Sequence, residues 1–320
     1  MTHHILIPDS VDQRAITLLH EAGMTVTAPG SMSRAEALAA VSQADALVIR
    51  SATRVDAEML EAATRLRVIA RAGVGVDNVD LVAATQRGVV VMNTPDGNTI
   101  STAEYTLGLM LALARHIPHS YNDLQAGRWE RKAFMGVELR RKTLGIIGFG
   151  RIGRAVAKRA QAFEMRVIAH DPYITPEMAI SLNVEIVNLD TLYDQADFIT
   201  LHSTINDETR EMINAASIAR MKPGVRIINA ARGALVNEYD LADAIRSGQV
   251  AGAALDVYQQ EPLPPDSPLI GLPNIIHTPH LAASTTDAQV QVGVDAAQEV
   301  LDALTQGVYR NVVNPSVLNA

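Results

Sequence analysis

Three residues late in the chain carry the parts of an acid–base oxidation. His280 follows the run Asn274-Ile275-Ile276-His277-Thr278-Pro279, Arg232 follows the strand-like Val225–Asn229, and Glu261 stands in the proline-rich loop between them. Moving a hydride off a secondary alcohol requires a base for the hydroxyl proton, and an imidazole suits that task near neutral pH. It also requires a cation to fix a carboxylate and polarise the oxygen, for which a guanidinium offers a forked donor. A carboxylate beside the histidine holds its tautomer and raises its affinity for a proton. Arg232, Glu261 and His280 are the candidates for these roles. The competing reading of Glu261 is a solvated loop acid, and His202 and His277 read as core or loop histidines.

The acceptor of the hydride is written into a second stretch. Leu144–Ile147 is a short apolar run, Gly148-Phe149-Gly150-Arg151-Ile152-Gly153 is a G-x-G-x-x-G turn, Arg154–Phe163 has a helical pattern, and Arg166–Ala169 forms a further strand ending at His170-Asp171. Strand, glycine turn, helix, strand and an acid eighteen residues past Gly153 make the dinucleotide fingerprint. The glycines permit the tight turn, the approach of a pyrophosphate and close helix–strand packing, and the helix N-terminus presents N–H groups to the phosphates. Asp171 can accept from both ribose hydroxyls and repels a 2′-phosphate, so NAD is expected rather than NADP.

These residues need a sheet to gather them. Strand-like and helix-like runs alternate from His4 to about residue 98 and again from Thr143 to about residue 280, the pattern of βαβ units and parallel sheets. Strands are expected at His4–Ile7, Met24–Thr27, Ala46–Arg50, Arg67–Arg71 and Val89–Met92, and later at Phe198–Leu201, Val225–Asn229, Val250–Leu255 and Asn274–Ile276. Gly148–Gly153, Asp171, His202, Arg232, Asp256 and His280 all follow such strands, and a doubly wound sheet brings its carboxyl ends to one ligand-binding edge. In the first half, Arg50-Ser51-Ala52-Thr53-Arg54 and Arg71-Ala72-Gly73-Val74-Gly75-Val76-Asp77 also follow strands, with glycines that free the backbone to face an anion. Arg50 and Arg71 are candidate anion contacts, or solvated charges. Ser33 followed by Glu36 predicts a capping box, and the apolar run Ile100–Arg115 predicts a buried helix.

Composition narrows the field. The chain has 320 residues, 48% hydrophobic and 19% charged, which allows two domains with sizeable cores. A net charge of −8 argues against nucleic acid or an anionic membrane as partner. The absence of cysteine excludes disulfides, thiol catalysis and zinc–thiolate sites, and no metal is expected. No signal peptide or membrane span is visible, so a cytoplasmic location is expected.

Several ordered motifs resemble the D-isomer-specific 2-hydroxyacid dehydrogenase family. They are Arg71–Asp80, Met92–Asn98, Ala230-Ala231-Arg232-Gly233, Ala254–Tyr258 with Glu261-Pro262, and Thr278-Pro279-His280-Leu281. Arg50-Ser51-Ala52-Thr53, Trp129-Glu130-Arg131-Lys132 with Phe134-Met135-Gly136, and Met221–Arg226 are most similar to members that oxidise 3-phosphoglycerate at the entry to serine synthesis. The resemblance implies two doubly wound parallel-sheet domains, a Rossmann NAD-binding domain inserted into a flavodoxin-like substrate domain. The substrate domain would be residues 1–98 and 284–320, the NAD domain residues 99–283, with a cleft between them. It implies His280 as acid/base, Glu261 as its partner and Arg232 on the substrate carboxylate and carbonyl. It places NAD against Gly148, Gly150, Arg151, Ile152, Gly153, Asp171, Ser203, Ala230, Ala231, Asp256, Ala282 and Ala283. Substrate would meet Arg50, Ser51, Arg71, the backbone of Val74 and Gly75, and Arg131 from a second subunit of a homodimer.

Departures from the family pattern are Ala282 for a usual Gly, Ala230 for a commoner Cys and Asn237 for a usual Asp. The chain stops near residue 320, so the serine-binding regulatory domains of longer members, and their feedback, are expected to be absent. Alternatives are a glyoxylate/hydroxypyruvate reductase or another D-2-hydroxyacid dehydrogenase, and an NAD-sensing corepressor of the same fold. The reductases would differ at the phosphate contacts, the corepressor by a peptide-binding surface and added tails.

Overall fold

The computed structural model describes residues 2–319. The chain divides into two compact units, Met1–Asn98 with Ser284–Ala320, and Thr99–Ala283. In chain order the first unit runs β1 (His4–Leu6), α1 (Gln13–Glu21), β2 (Thr25–Thr27), α2 (Arg34–Val41), β3 (Ala46–Ile49), α3 (Ala57–Ala62), β4 (Val68–Arg71), α4 (Leu81–Gln86) and β5 (Val90–Asn93). The second runs α5 (Thr99–Ala114), α6 (Ile117–Gln125), β6 (Thr143–Ile147), α7 (Arg151–Ala162), β7 (Arg166–His170), α8 (Pro176–Ser181), β8 (Glu185–Ile186), α9 (Leu189–Gln195), β9 (Phe198–Leu201), α10 (Ala215–Ile218), β10 (Val225–Asn229), α11 (Glu238–Ser247), β11 (Val250–Leu255) and β12 (Ile275–His277). Helix α12 (Thr286–Gln306) belongs to the first unit, where it packs on α1 and β4.

Both sheets are parallel. The first has the order β2-β1-β3-β4-β5 and the second β12-β11-β10-β9-β6-β7-β8. The first is the flavodoxin-like winding, and the second is the Rossmann winding extended by one strand. Strands such as β3 and β9 are buried at every position, as a sheet covered by helices on both faces demands. In the second unit Ile199 and Leu201 pack into one apolar cluster with Ile227 and Leu255, while Phe198 joins the cluster that α5 and α7 cover on the other face.

Helix starts follow local chemistry. Ser33 and Glu36 form the expected capping box, Ser33 N donating to Glu36 Oε2 at 2.7 Å and Glu36 N to Ser33 Oγ at 3.3 Å. Asn237 caps α11 through the Asp240 N–H, with Glu238 and Asp240 in the first turn and Arg246 in the last, as the macrodipole favours.

Some bounds differ from the sequence expectation. Helix α7 begins at Arg151 rather than Arg154, because Gly150 already serves as its N-cap and the third glycine lies inside the first turn. Helix α6 buries none of its residues: it begins with Pro118 in its first turn, and its apolar Ile117, Tyr121 and Leu124, spaced i, i+4, i+7, are exposed. Helices α8 and α9 have no counterpart in the sequence expectation, nor do the two-residue β8 and the four-residue α10, which are too short for periodicity to register. Among the described residues, no helix is long and apolar enough to cross a membrane.

Candidate active site

The chemistry of the second unit converges on the loops after β10, β11 and β12. Asn229, the buried last residue of β10, accepts from Ala231 N at 3.1 Å through Oδ1 and donates from Nδ2 to Arg232 O at 2.8 Å. That carboxamide fixes the Ala230–Arg232 turn, and the Arg232 guanidinium folds back to donate to Ala231 O at 2.7 Å. Gly233 is obligatory: a Cβ there would stand 1.9 Å from the Tyr258 carbonyl carbon. The arginine turn is thus pressed onto the backbone of the loop that leads to Glu261.

Asp256, the first residue past β11, is fully buried and organises the histidine loop. Its Oδ1 accepts from Thr278 Oγ1 at 2.6 Å and Leu281 N at 2.8 Å, its Oδ2 accepts from Ala282 N at 2.8 Å, and its backbone carbonyl accepts from His280 N at 2.9 Å. His280 is held in the left-handed region at φ 56° between those bonds. Tyr258 closes the frame from behind, its buried hydroxyl donating toward Leu255 O at 2.9 Å and Thr278 O at 3.1 Å, and burial pushes that phenol up to about 12.

In this frame the Glu261 and His280 side chains meet, Oε2 to Nδ1, at 2.7 Å, while Glu261 Oε1 accepts from Tyr258 N at 3.1 Å. The hydrogen bond to Glu261 raises the His280 pKa above its ordinary value; burial opposes this, the charges of Glu261 and Asp256 add to it, and Arg232 detracts. Burial works to raise Glu261, but the bonds from His280 and Tyr258 N and the charges of His280 and Arg232 hold it below the ordinary carboxylate value. With Nδ1 turned to Glu261, Nε2 is the atom left to exchange a proton with a substrate. The other two histidines considered are structural. Burial drives His202 down to about 3, with Nε2 3.0 Å from Thr200 Oγ1, and lowers His277, whose Nε2 lies 3.3 Å from Leu269 O.

The glycine turn sits at the carboxyl end of β6, beside β9, where the winding of the sheet reverses. Gly148 has φ 90°, and a Cβ there would lie 2.6 Å from His202 C and Ser203 N. A Cβ on Gly153 would be 2.3 Å from Gly148 O, which forces glycine where α7 packs on the turn. Gly150 differs: nothing lies within 4 Å of its Cβ position, and no side chain caps the helix there. An open space over uncapped helix N–H groups fits a pyrophosphate. Asp171 reaches the same turn, accepting from Phe149 N at 2.7 Å and Tyr173 N at 2.9 Å. Arg151 is exposed, Ile152 and Ser203 are half-buried, and Ala282 is buried under the Asp256 carboxylate.

The structure therefore brings Arg232, Glu261 and His280 together, with the Arg232 charge felt by both partners. Ala230, Ala231, Asp256, Ala282 and Ala283 belong to the same group of strand-end loops. In the first unit, Arg50 and Ser51 follow β3, and Arg71 ends β4 with its guanidinium over Gly73, where a Cβ would lie 1.6 Å from Arg71 Nη1. Val74 O accepts from Asn93 Nδ2 at 2.5 Å, and Gly75 follows in the same loop. Arg131 opens an exposed 3₁₀ turn, Arg131–Phe134. Sequence reading missed Asn229, Tyr258 and Thr278 as the supports of the catalytic loops. A polar residue closing an otherwise apolar strand, as Asn229 does, was the available signal.

The family model for the D-isomer specific 2-hydroxyacid dehydrogenase NAD binding domain matches residues 107–282. A D-3-phosphoglycerate dehydrogenase of Archaeoglobus fulgidus is 48% identical over 314 residues, covering 98% of this chain and 60% of that protein. The chain thus spans well under two thirds of the length of that curated relative. Among solved structures, a Thermus thermophilus protein superposes with a TM-score of 0.88 at 37% identity, covering 97% of this chain and 99% of the other. A glyoxylate reductase from Paecilomyes thermophila does so with a TM-score of 0.88 at 29% identity, covering 98% and 99%.

Proposed function

Since the chain belongs to the D-isomer specific 2-hydroxyacid dehydrogenase family, we propose that it oxidises 3-phospho-D-glycerate to 3-phosphohydroxypyruvate with NAD, the first step of serine synthesis. The observation that carries the hydroxyacid chemistry is the 2.7 Å Glu261–His280 pair under the influence of the Arg232 charge. The choice of phosphoglycerate draws support from the 48% identical D-3-phosphoglycerate dehydrogenase. The second unit is read as the NAD-binding domain and the first as the substrate domain.

The residues present fit the cofactor. Gly150 leaves room where a pyrophosphate would lie, α7 offers its first N–H groups, and Asp171 offers a carboxylate for the ribose. When bound, NAD supplies the hydride acceptor. On the protein side, Arg232 orients the substrate carboxylate and polarises the reacting oxygen. His280 Nε2 takes the hydroxyl proton as the C–H bond is broken, and Glu261 stabilises the imidazolium formed, without itself taking the proton. In reduction the same imidazolium returns the proton to the carbonyl oxygen.

Arg50, Ser51, Arg71 and the Val74–Gly75 backbone are proposed substrate contacts, with Arg131 supplying charge for the phosphate from a second subunit. The homodimer draws support from large apolar side chains left exposed on α6 and in the segment after it: Tyr121, Trp129 and Met135 are 61%, 74% and 79% exposed. A cytoplasmic location is part of the same reading.

A glyoxylate or hydroxypyruvate reductase is the second reading, favoured by the structural likeness to the glyoxylate reductase from Paecilomyes thermophila. Arg50→Ala and Arg131→Ala separate the two. If they raise KM for 3-phosphoglycerate far more than for unphosphorylated 2-hydroxy acids, the phosphoglycerate reading stands; equal effects on both classes defeat it.

A further inference from the structure

The loop Arg50–Thr53 is gripped by two side chains outside the catalytic group, Asp9 and Asn78. Asp9, just past β1 and 7% exposed, turns its carboxylate under the loop. It accepts from Arg50 N at 2.5 Å, Thr53 N at 3.3 Å and Thr53 Oγ1 at 2.6 Å. Asn78 meets the matching carbonyls, its Nδ2 donating to Arg50 O at 2.7 Å and Thr53 O at 2.6 Å. Both backbone N–H and both C=O groups at the base of the loop are therefore engaged by one acid and one amide. The apex, Ser51 and Ala52, is exposed.

Asn78 belongs to the other candidate substrate loop of this unit, the segment after β4 that contains Gly73 and Gly75. The backbone of that segment is also joined to the first, Val55 N donating to Asn78 O at 2.8 Å and Asp80 N to Val55 O at 2.8 Å. Consecutive backbone N–H groups in a turn can cradle an anion. Here Asp9 plays the anion's part on the inner side, so the loop keeps its shape with no external anion and turns its apex outward, while the half-buried Arg50 side chain donates from Nη1 to Ser10 O at 3.3 Å.

We propose that Asp9 and Asn78 are positioning residues for the substrate's anionic end: together they lock the Arg50–Thr53 loop to the segment after β4, so that Arg50 and Ser51 are pre-set for binding. The inference rests on reading Arg50 and Ser51 as substrate contacts. Pre-organisation of this kind acts on binding, because an unlocked loop must be ordered when substrate arrives.

Steady-state kinetics of the full chain test it, with 3-phosphoglycerate and NAD, in Asp9→Asn, Asp9→Ala and Asn78→Asp. Asn78→Asp keeps the shape but removes the donor and sets a carboxylate against two carbonyls. Asp9→Ala and Asn78→Asp are expected to raise KM for 3-phosphoglycerate by about tenfold or more, Asp9→Asn by less, as losing several or one hydrogen bond implies. The kcat and the KM for NAD should stay within about twofold, since a binding loop and not the reacting centre is loosened. Amide hydrogen exchange should quicken in residues 50–53 and not in β3. An unchanged KM in Asp9→Ala and Asn78→Asp overturns the inference and leaves the function standing. So does a raised KM accompanied by faster exchange throughout β3, which is general loosening of the unit. A wild-type chain that turns over no 2-hydroxy acid overturns the functional reading, and this inference with it.

Discussion

His280 and Glu261 set the pH behaviour of the proposed reaction. Oxidation needs a neutral imidazole, and the bond to Glu261 raises the His280 pKa, so the rate should climb with pH through a midpoint above ~6.5 and then level off. Reduction needs the imidazolium and should fall across the same range. The folding linkage has matching signs. Stability from the raised His280 is fully present below ~6.5 and lost as pH rises through its folded value, while that from the lowered Glu261 is present above ~4.3 and lost as pH falls through its folded value. Both side chains are partly solvated, 52% and 38% exposed, so the activity profile is the sharper probe. Glu261→Gln should move the oxidation midpoint to lower pH and reduce kcat; an unmoved midpoint would remove Glu261 from its role. His280→Ala should lower turnover by at least about 100-fold while NADH binding, followed by fluorescence, holds. Asp256→Asn replaces an acceptor of three hydrogen bonds by a group carrying a donor. It should cost roughly 1–3 kcal/mol in denaturant titration and lower kcat by loosening the histidine loop. Wild-type stability in that variant would show that the loop is held by other means.

At the scale of elements, the glycine turn is the part most dependent on backbone geometry. Gly148→Ala puts a side chain at φ 90° and within 2.6 Å of the His202 and Ser203 backbone. It should weaken NADH binding by about tenfold or more and lower the melting temperature, since such strain is worth ~1–3 kcal/mol. Binding equal to wild type in a titration would mean that the turn is not the cofactor cradle. This turn was legible because glycine identity, strand hydrophobicity and the spacing to Asp171 are all local properties. The strands β3, β6, β9, β10 and β11 were legible for the same reason, as apolar runs bounded by polar residues. Helix α6 was not, because its short stripe of Ile117, Tyr121 and Leu124 is diluted by Pro118 and by polar neighbours and is not buried, and β8 was not, because two residues carry no period. The start of α7 was missed by three residues because a glycine cap leaves no side-chain signature.

At the scale of the molecule, two parallel sheets with different windings each bring strand-end loops to a carboxyl edge. Sequence order could nominate Arg232, Glu261 and His280, since each follows or lies near a strand-like run. It could not show that Asp256 and Tyr258 hold the histidine loop, because these bonds join residues far apart in the chain, such as the 26 positions between Asp256 and Ala282 and the 20 between Tyr258 and Thr278. The proposed dimer belongs to this scale. Sedimentation at micromolar concentration should give a dimer, and Trp129→Glu, which replaces an exposed aromatic side chain by a charge, should shift it toward monomer. A wild-type monomer would remove the second-subunit role of Arg131. The central claim is tested most directly by initial rates of NADH formation with 3-phosphoglycerate beside D-glycerate and D-lactate, using His280→Ala as the control. The expected result is a kcat/KM for 3-phosphoglycerate at least about 100-fold above the unphosphorylated acids, as two charge-assisted contacts to a phosphate imply, and turnover at least about 100-fold lower in the control. Equal or higher kcat/KM for the unphosphorylated acids, or undiminished turnover in His280→Ala, would contradict it.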